Sequence, residues 1–308
     1  MINANFSLDT ATFVCLNDFY RYALTQAAKY PLFFGHGTDN PHDEFRWLLT
    51  ASLGLPFDAE DRLWQARLTD SEKALLTERL QRRIQESVPV PYLINEAYFC
   101  NLKFYVDERV LIPRSPVAEL IEGHFSPWLQ EESVHQILDL CTGGGCIALA
   151  LACYFPEAKV DAVDISKDAL AVAEINRQNL GLKEQVTLIQ SDCWENVPHK
   201  RYDLIVSNPP YVGDVEMEEL PAEYRHEPDM ALRAENNGLA LVDKILKEAH
   251  AYLSDKGILV VEVGNSAEAL QAAYPEVPFL WLDFAHGGQG VFLLTAADIQ
   301  TYFGMKKA

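Results

Sequence analysis

The chain has 308 residues, 49% of them hydrophobic and 23% charged, which is enough apolar material for one large domain or two smaller ones. Its 45 acidic and 25 basic residues leave a net charge of −20, a poor balance for gripping nucleic acid and a better one for meeting a basic partner. The six cysteines form no C-x-x-C pair and several lie in apolar runs, so they read as reduced thiols and not as a metal cluster. With no basic and apolar leader and no run long enough to span a bilayer, the expectation is a cytoplasmic protein.

Residues 1–88 read as helices only. Phe13, Leu16, Phe19, Tyr20, Ala23, Leu24 and Ala27 recur at helical spacing. Asn40 followed by Pro41 gives a cap and a preset first helical residue, and Gly54 can close that helix after Phe45, Leu48, Leu49 and Leu53. Thr69 with Glu72 is a capping box opening a run that places Leu75, Leu76, Leu80 and Ile84 on one face. The bundle holds no titratable cluster resembling a site and reads as a packing or recognition module. Residues 89–115 change character: Val90–Ile94, Ala97–Phe99 and Lys103–Val106 are β-rich and predict an extended hairpin linker. Arg114, set between Pro113 and Pro116 ahead of the next domain, is a candidate ligand or orienting group.

From residue 116 onward the chain reads as one domain. Strands are predicted at 136–140, 159–164, 185–190, 202–207 and 258–263, with helices between them, for example 166–179 and 239–253. Two more strands, 279–284 and 290–295, follow with a short turn. Alternation of this kind predicts a mostly parallel, doubly wound α/β sheet with an antiparallel hairpin at its edge.

Asp139-Leu140-Cys141-Thr142-Gly143-Gly144-Gly145 lies at the first strand-to-helix turn, where glycines let backbone approach a ligand. Asp164 ends the next strand, placed to accept both hydroxyls of a ribose. The pattern Gly143-x-Gly145-x-x-Ala148 with an acid some twenty residues on also satisfies the dinucleotide fingerprint, so these residues indicate a nucleoside without choosing which. Asp139, before the glycines, suits an ammonium or sulfonium better than a pyrophosphate. Asp192, after the third strand, is placed to accept from an adenine amino group, with Trp194 either packing nearby or belonging to the core.

Asn208-Pro209-Pro210-Tyr211 follows the strand at 202–207. Two prolines fix φ and remove two N–H donors, leaving a stiff loop rich in acceptors. Such a loop can hold a planar –NH2 group between the Asn208 side-chain oxygen and the Pro209 carbonyl, with the Tyr211 ring against its plane.

With both loops in place the chain resembles a class I S-adenosylmethionine-dependent (SAM-dependent) methyltransferase, Rossmann-like, with a seven-stranded sheet behind an N-terminal helical bundle and a β-hairpin linker. It closely resembles the protein-glutamine N(5)-methyltransferase family related to HemK, through Tyr92-Leu93-Ile94, Val110-Leu111-Ile112-Pro113-Arg114, the segment 137–145 and Asn208-Pro209-Pro210-Tyr211. The resemblance implies S-adenosyl-L-methionine as cofactor, held by Asp139, Thr142, Gly143, Gly145, Asp164 and Asp192. It implies catalysis by Asn208, Pro209 and Tyr211, with Pro210 and Arg114 helping to bind substrate, and no metal. The Asn-Pro-Pro-Tyr element is shared with adenine-N6 methyltransferases of nucleic acid, whereas the hairpin and the Pro-Arg segment point to glutamine. One branch of the family modifies the Gly-Gly-Gln motif of release factors and usually carries Pro-x-Thr-Glu after Pro-Arg. Here Ser115-Pro116-Val117-Ala118-Glu119 follows instead, which resembles the branch acting on the large-subunit ribosomal protein uL3. The partner implied is therefore a basic protein, with no direct nucleic-acid or membrane contact expected.

Overall fold

The computed structural model describes residues 10–304 except Asn237. The chain forms two compact units. One runs to Ala97 and takes in Pro221–His226; the other holds Tyr98–Leu220 and everything from Glu227 onward. The sequence reading divides the chain differently, with a bundle to 88 and a linker at 89–115.

The first unit is helical: α1 (Leu16–Ala27), α2 (Pro41–Ser52), α3 (Asp61–Gln65), α4 (Asp70–Gln85) and α5 (Val90–Ile94). The Asn40 side chain accepts from the Asp43 amide with Pro41 in the first turn, and Thr69 and Glu72 form the reciprocal capping box that starts α4. Val90–Ile94 departs from the β reading. A five-residue apolar run fits either conformation; with Pro91 in its first turn and Asn95 at its end in the left-handed region (φ 53°), it closes as a single helical turn. Buried in this unit is a charge cluster. Arg83 Nε donates to Glu44 at 2.6 Å, its Nη1 to Glu223 at 2.9 Å and its Nη2 to the Phe33 carbonyl at 2.8 Å. Through Glu223 the short segment Pro221–His226 is bonded to this helical unit.

The second unit begins at Tyr98, inside a hairpin of β1 (Ala97–Phe99) and β2 (Leu102–Phe104) turned at Cys100 and Asn101, both at positive φ. After α6 (Val117–Glu122) come β3 (Gln136–Leu140), α7 (Cys146–Tyr154), β4 (Lys159–Asp164), α8 (Lys167–Asn179), β5 (Val186–Gln190) and β6 (Tyr202–Ser207). Two short helices follow, α9 (Asp214–Glu219) and α10 (Asp229–Leu232), then α11 (Ala240–Glu248), β7 (Leu253–Glu262) and α12 (Ala267–Ala273). Strands β8 (Leu280–Trp281) and β9 (Val291–Thr295) and helix α13 (Ala296–Tyr302) complete it.

The seven-stranded sheet has the order β5-β4-β3-β6-β7-β9-β8; β9 runs antiparallel to both β7 and β8, and the remaining pairs are parallel. This is the mostly parallel seven-stranded sheet with an antiparallel edge that the sequence predicts. Its central strands are nearly continuous Val, Ile and Leu because both faces are covered, one core lying around Ile137, Val160 and Val206 and the other around Leu138, Ile205 and Leu259. The chain leaves β3 toward β4 on one side, and β6 leads to β7 on the other. The carboxyl ends of β3 and β6 therefore form the switch point where an open α/β sheet binds ligands. Among the described residues, no helix is long and apolar enough to cross a membrane.

Candidate active site

Leu140 and Ser207 are paired in the β3–β6 register, so the glycine turn and the Asn-Pro-Pro-Tyr loop leave the sheet side by side. One cavity takes in parts of both. Its walls include Cys141, Gly143, Asp164, Asp192, Asn208 and Pro210, together with the backbone stretch Arg109–Leu111 and Leu241.

The glycine turn is built from below by Asp139. That carboxylate is fully buried; one oxygen accepts from the Thr142 hydroxyl at 2.6 Å and from the Ala148 amide at 3.1 Å. Its other oxygen has no hydrogen-bond partner among the described residues. Burial pushes the carboxyl up to about 7 against those two bonds, and the Asp164 charge adds to the rise. Asp139 and Thr142 lie beneath the turn as its scaffold. Gly143 sits above it at φ +55°, and a Cβ there would meet nothing within 4 Å, which leaves clear space in front of the turn. Gly145 has another duty: at φ +84° it begins α7, and its bare Cα lets Ala173 of α8 pack where a Cβ would come within 3.2 Å. Asn176 of α8 completes the scaffold, donating to the carbonyls of Gly144 at 2.9 Å and Tyr105 at 3.1 Å.

Asp164 lines the cavity. Its oxygens accept from the Gly143 amide at 2.8 Å and the Ser166 amide at 2.9 Å, so the carboxylate is held rigid at the end of β4. Burial raises its pKa and these backbone bonds lower it, with a net rise. Asp192 is exposed at the rim and takes the Lys244 ammonium at 2.9 Å. Trp194 is core: it is 3% exposed, stacked on Tyr252 at 4.5 Å, and its indole N–H goes to the Lys244 carbonyl. Cys193, at φ 52°, lines the cavity instead.

In the second loop the Asn208 side chain is half-buried in the cavity wall and finds no hydrogen-bond partner among the described residues. Pro209 is buried, and its carbonyl accepts no backbone hydrogen bond among those described. Pro210 faces the cavity. Tyr211 is held away from it at three points: its hydroxyl donates to Glu262 at 3.0 Å, its carbonyl accepts from Ser266 at 3.0 Å, and its ring lies over Gly264.

Arg114 forms a two-pronged pair with Glu227, Nη1 to Oε1 at 2.6 Å and Nη2 to Oε2 at 2.8 Å, and Glu227 also takes the Ile112 amide at 3.0 Å. The guanidinium thus orients the 110–114 backbone, which forms part of the cavity wall at Val110 and Leu111. Glu227, Glu262 and Asn176 were not identified from sequence. Each lies far along the chain from its partner, and only burial marks them.

Residues 125–223 match the family model described as Methyltransferase small domain. Two curated relatives from Neisseria meningitidis, one of serogroup B (strain ATCC BAA-335 / MC58) and one of serogroup A (strain DSM 15465 / Z2491), are each named ribosomal protein uL3 glutamine methyltransferase. Each is 44% identical over 300 residues, spanning 97% of this chain and 99% of the relative. Among solved structures, a methyltransferase from Pyrococcus furiosus is similar at 14% identity and a TM-score of 0.45, over 74% of this chain and 99% of that one. Through the 44% identity to the curated relatives over nearly the whole length, the chain is a methyltransferase and belongs to the ribosomal protein uL3 glutamine methyltransferase family.

Proposed function

We propose that the protein transfers a methyl group to the side-chain amide nitrogen of a glutamine in the large-subunit ribosomal protein uL3, giving N(5)-methylglutamine. The observation that carries this reading is the Asn208 amide, unpartnered among the described residues and set in one cavity with Gly143 and Asp164. The relatives' names supply the substrate, and a net charge of −20 suits a basic ribosomal protein.

The cofactor is S-adenosyl-L-methionine, and the residues present fit it. Gly143 leaves open space before the turn, Asp164 offers a rigid carboxylate for ribose hydroxyls, and Asp192 stands at the rim. Asp139 and Thr142 support the turn from beneath, and Gly145 allows its helix to start. Bound there, the cofactor supplies a methyl on a sulfonium, whose carbon–sulfur pair stays on sulfur as the bond breaks.

The amide nitrogen is a weak nucleophile because its lone pair is delocalised into the carbonyl. Orientation therefore supplies much of the rate, and it is the stiff Asn208–Pro210 loop that would fix the nitrogen. The Asn208 side-chain oxygen and the Pro209 carbonyl accept the two amide hydrogens, while Tyr211, seated outside the cavity on Glu262 and Ser266 and not against the amide plane as the sequence predicts, steadies the loop that carries them. As the nitrogen forms its new bond it becomes positive and its hydrogens more acidic, so both acceptors bind the transition state more tightly than the ground state. One proton then leaves to water, restoring a neutral, methylated amide.

Incubating the protein with labelled cofactor and uL3, a release factor or DNA tests the assignment. Label on a uL3 glutamine, located by mass mapping, is the expected result. Label confined to release factor or DNA would overturn the substrate.

A further inference from the structure

We propose that Glu262 is a positioning residue for the methyl transfer, acting through Tyr211 by bridging that hydroxyl to Ser115. The inference rests on the role given to the Asn-Pro-Pro-Tyr loop above and extends it to a residue on another strand.

Glu262 is the last residue of β7, and it is 5% exposed. Its two oxygens are divided between two loops. Oε1 accepts from the Tyr211 hydroxyl at 3.0 Å, and Oε2 accepts from the Ser115 hydroxyl at 2.6 Å. Ser115 in turn accepts from the Val117 amide at 3.2 Å, at the first turn of α6. A chain of hydrogen bonds therefore runs from a helix start, through a serine and a buried carboxylate, to the tyrosine hydroxyl. Both hydroxyls point their protons at Glu262, which fixes their rotors. A buried acid held by two donors in this way resists reorientation, because any swing leaves an oxygen unsatisfied in a dry site.

The surroundings leave the ring little freedom. A Cβ on Gly264, at φ +47°, would come within 2.5 Å of Tyr211 Cε2, so the residue two places past Glu262 must be bare for the ring to lie there. The Gly238 backbone is equally close to the Tyr211 carbonyl, where a Cβ would stand 2.3 Å from the oxygen. Tyr211 is thus seated against β7 and the loop after it, and Glu262 is the polar contact that sets its hydroxyl. Tyr211 is joined through rigid prolines to Asn208, so tilting the ring moves the acceptor that holds the substrate amide. A misplacement of about 1 Å at such a site costs on the order of 10²-fold in rate.

The test is a double-mutant cycle on the full chain with S-adenosylmethionine and uL3, measuring kcat and both KM values. Glu262→Ala is expected to lower kcat about 10²-fold, with the cofactor KM essentially unchanged. Glu262→Gln should recover most of that loss, since a carboxamide still bridges two hydroxyls by accepting from one and donating to the other. In a Tyr211→Phe background, Glu262→Ala should cost little more, the two losses being one loss. Losses that multiply, a Gln variant as impaired as the Ala variant, or an effect confined to cofactor KM would each overturn the proposal. A second readout needs no substrate. With Tyr 13C-labelled, the Tyr211 ring signals should average in Ser115→Ala and Glu262→Ala but stay resolved in Glu262→Gln. Unaltered signals in all three would sink the idea even if uL3 proved to be the wrong substrate. Should Glu262→Ala not fold, Glu262→Gln and Ser115→Ala carry both measurements, and a Ser115→Ala protein with wild-type kcat and ring signals would overturn the bridge.

Discussion

The Ser207 hydroxyl donates to the Leu140 carbonyl at 2.8 Å, at the last paired position of β6 and β3. This side-chain bond stitches the two strands just where their ladder ends. The loop that begins at Cys141 and the loop that begins at Asn208 therefore start from a common, rigid edge. On the proposed reading, a methyl donor held by one and an amide held by the other are set at a distance fixed by the sheet.

Replacing Asn208 by Ala removes an acceptor and leaves the glycine turn untouched. We expect kcat to fall about 10²–10³-fold, the usual cost of losing one preorganised transition-state contact. Titration calorimetry with S-adenosylmethionine should give an affinity close to wild type. A large loss of cofactor binding would mean that Asn208 serves the donor and not the acceptor.

Asp164 should show the opposite division. Its carboxylate anchors the Gly143 amide and faces the cavity, so Asp164→Ala is expected to weaken cofactor binding about 10- to 100-fold, the worth of hydrogen bonds to a charged group. At saturating cofactor the turnover should return to within a few-fold. Calorimetry and saturation kinetics separate the two cases, and a kcat that stays low at saturation would contradict this role.

Asp139 predicts a pH effect on stability. Burial raises its carboxyl from 3.8 to about 7 in the folded protein. Between those values the native state holds a proton that the unfolded chain has released, so stability falls as pH rises through that window and levels off above it. Asp139→Asn keeps a side-chain oxygen for Thr142 and Ala148 without a charge. Its Tm should therefore drop less than wild type between pH 5 and pH 8. Parallel curves for the two proteins would show that the buried acid does not govern this slope.

In the helical unit Arg83 is fully buried between Glu44 and Glu223. Arg83→Met leaves two acids without their cation in a dry site, and should cost about 3–5 kcal/mol in denaturant unfolding. Exchanging all three for apolar residues of similar volume should recover much of that loss, because no desolvated charge remains. If the single and triple variants were equally destabilised, packing and not charge would be what the cluster supplies.

Much of this protein is legible locally. Asn40-Pro41, the Thr69–Glu72 box and the apolar strands at 136–140, 159–164 and 202–207 are decided by residues within a turn or two of each other, and they form as the sequence predicts. The glycine turn and the Asn-Pro-Pro-Tyr loop were equally readable, because backbone freedom and missing donors are properties of the residues themselves. These two loops indicate a nucleoside and a planar –NH2 group, and the resemblance they carry, together with Tyr92-Leu93-Ile94 and Val110–Arg114, is what implies a methyltransferase.

Other decisions rest on tertiary structure. Val90–Ile94 has no local preference strong enough to choose, and it folds as a helical turn. Arg114 reads as a candidate ligand or orienting group, and Glu227, distant in sequence, takes both prongs of its guanidinium. Trp194, which the sequence leaves open between ligand and core, is stacked on Tyr252 in the core. Asp139 stands beside glycines in the chain yet lies beneath them in space. Burial and partnership are set by residues that meet only when the sheet closes, and no spacing along the chain encodes them. The sequence determined which groups can do the chemistry; the fold decided which of them remain free to touch a ligand and which are spent holding the others in place.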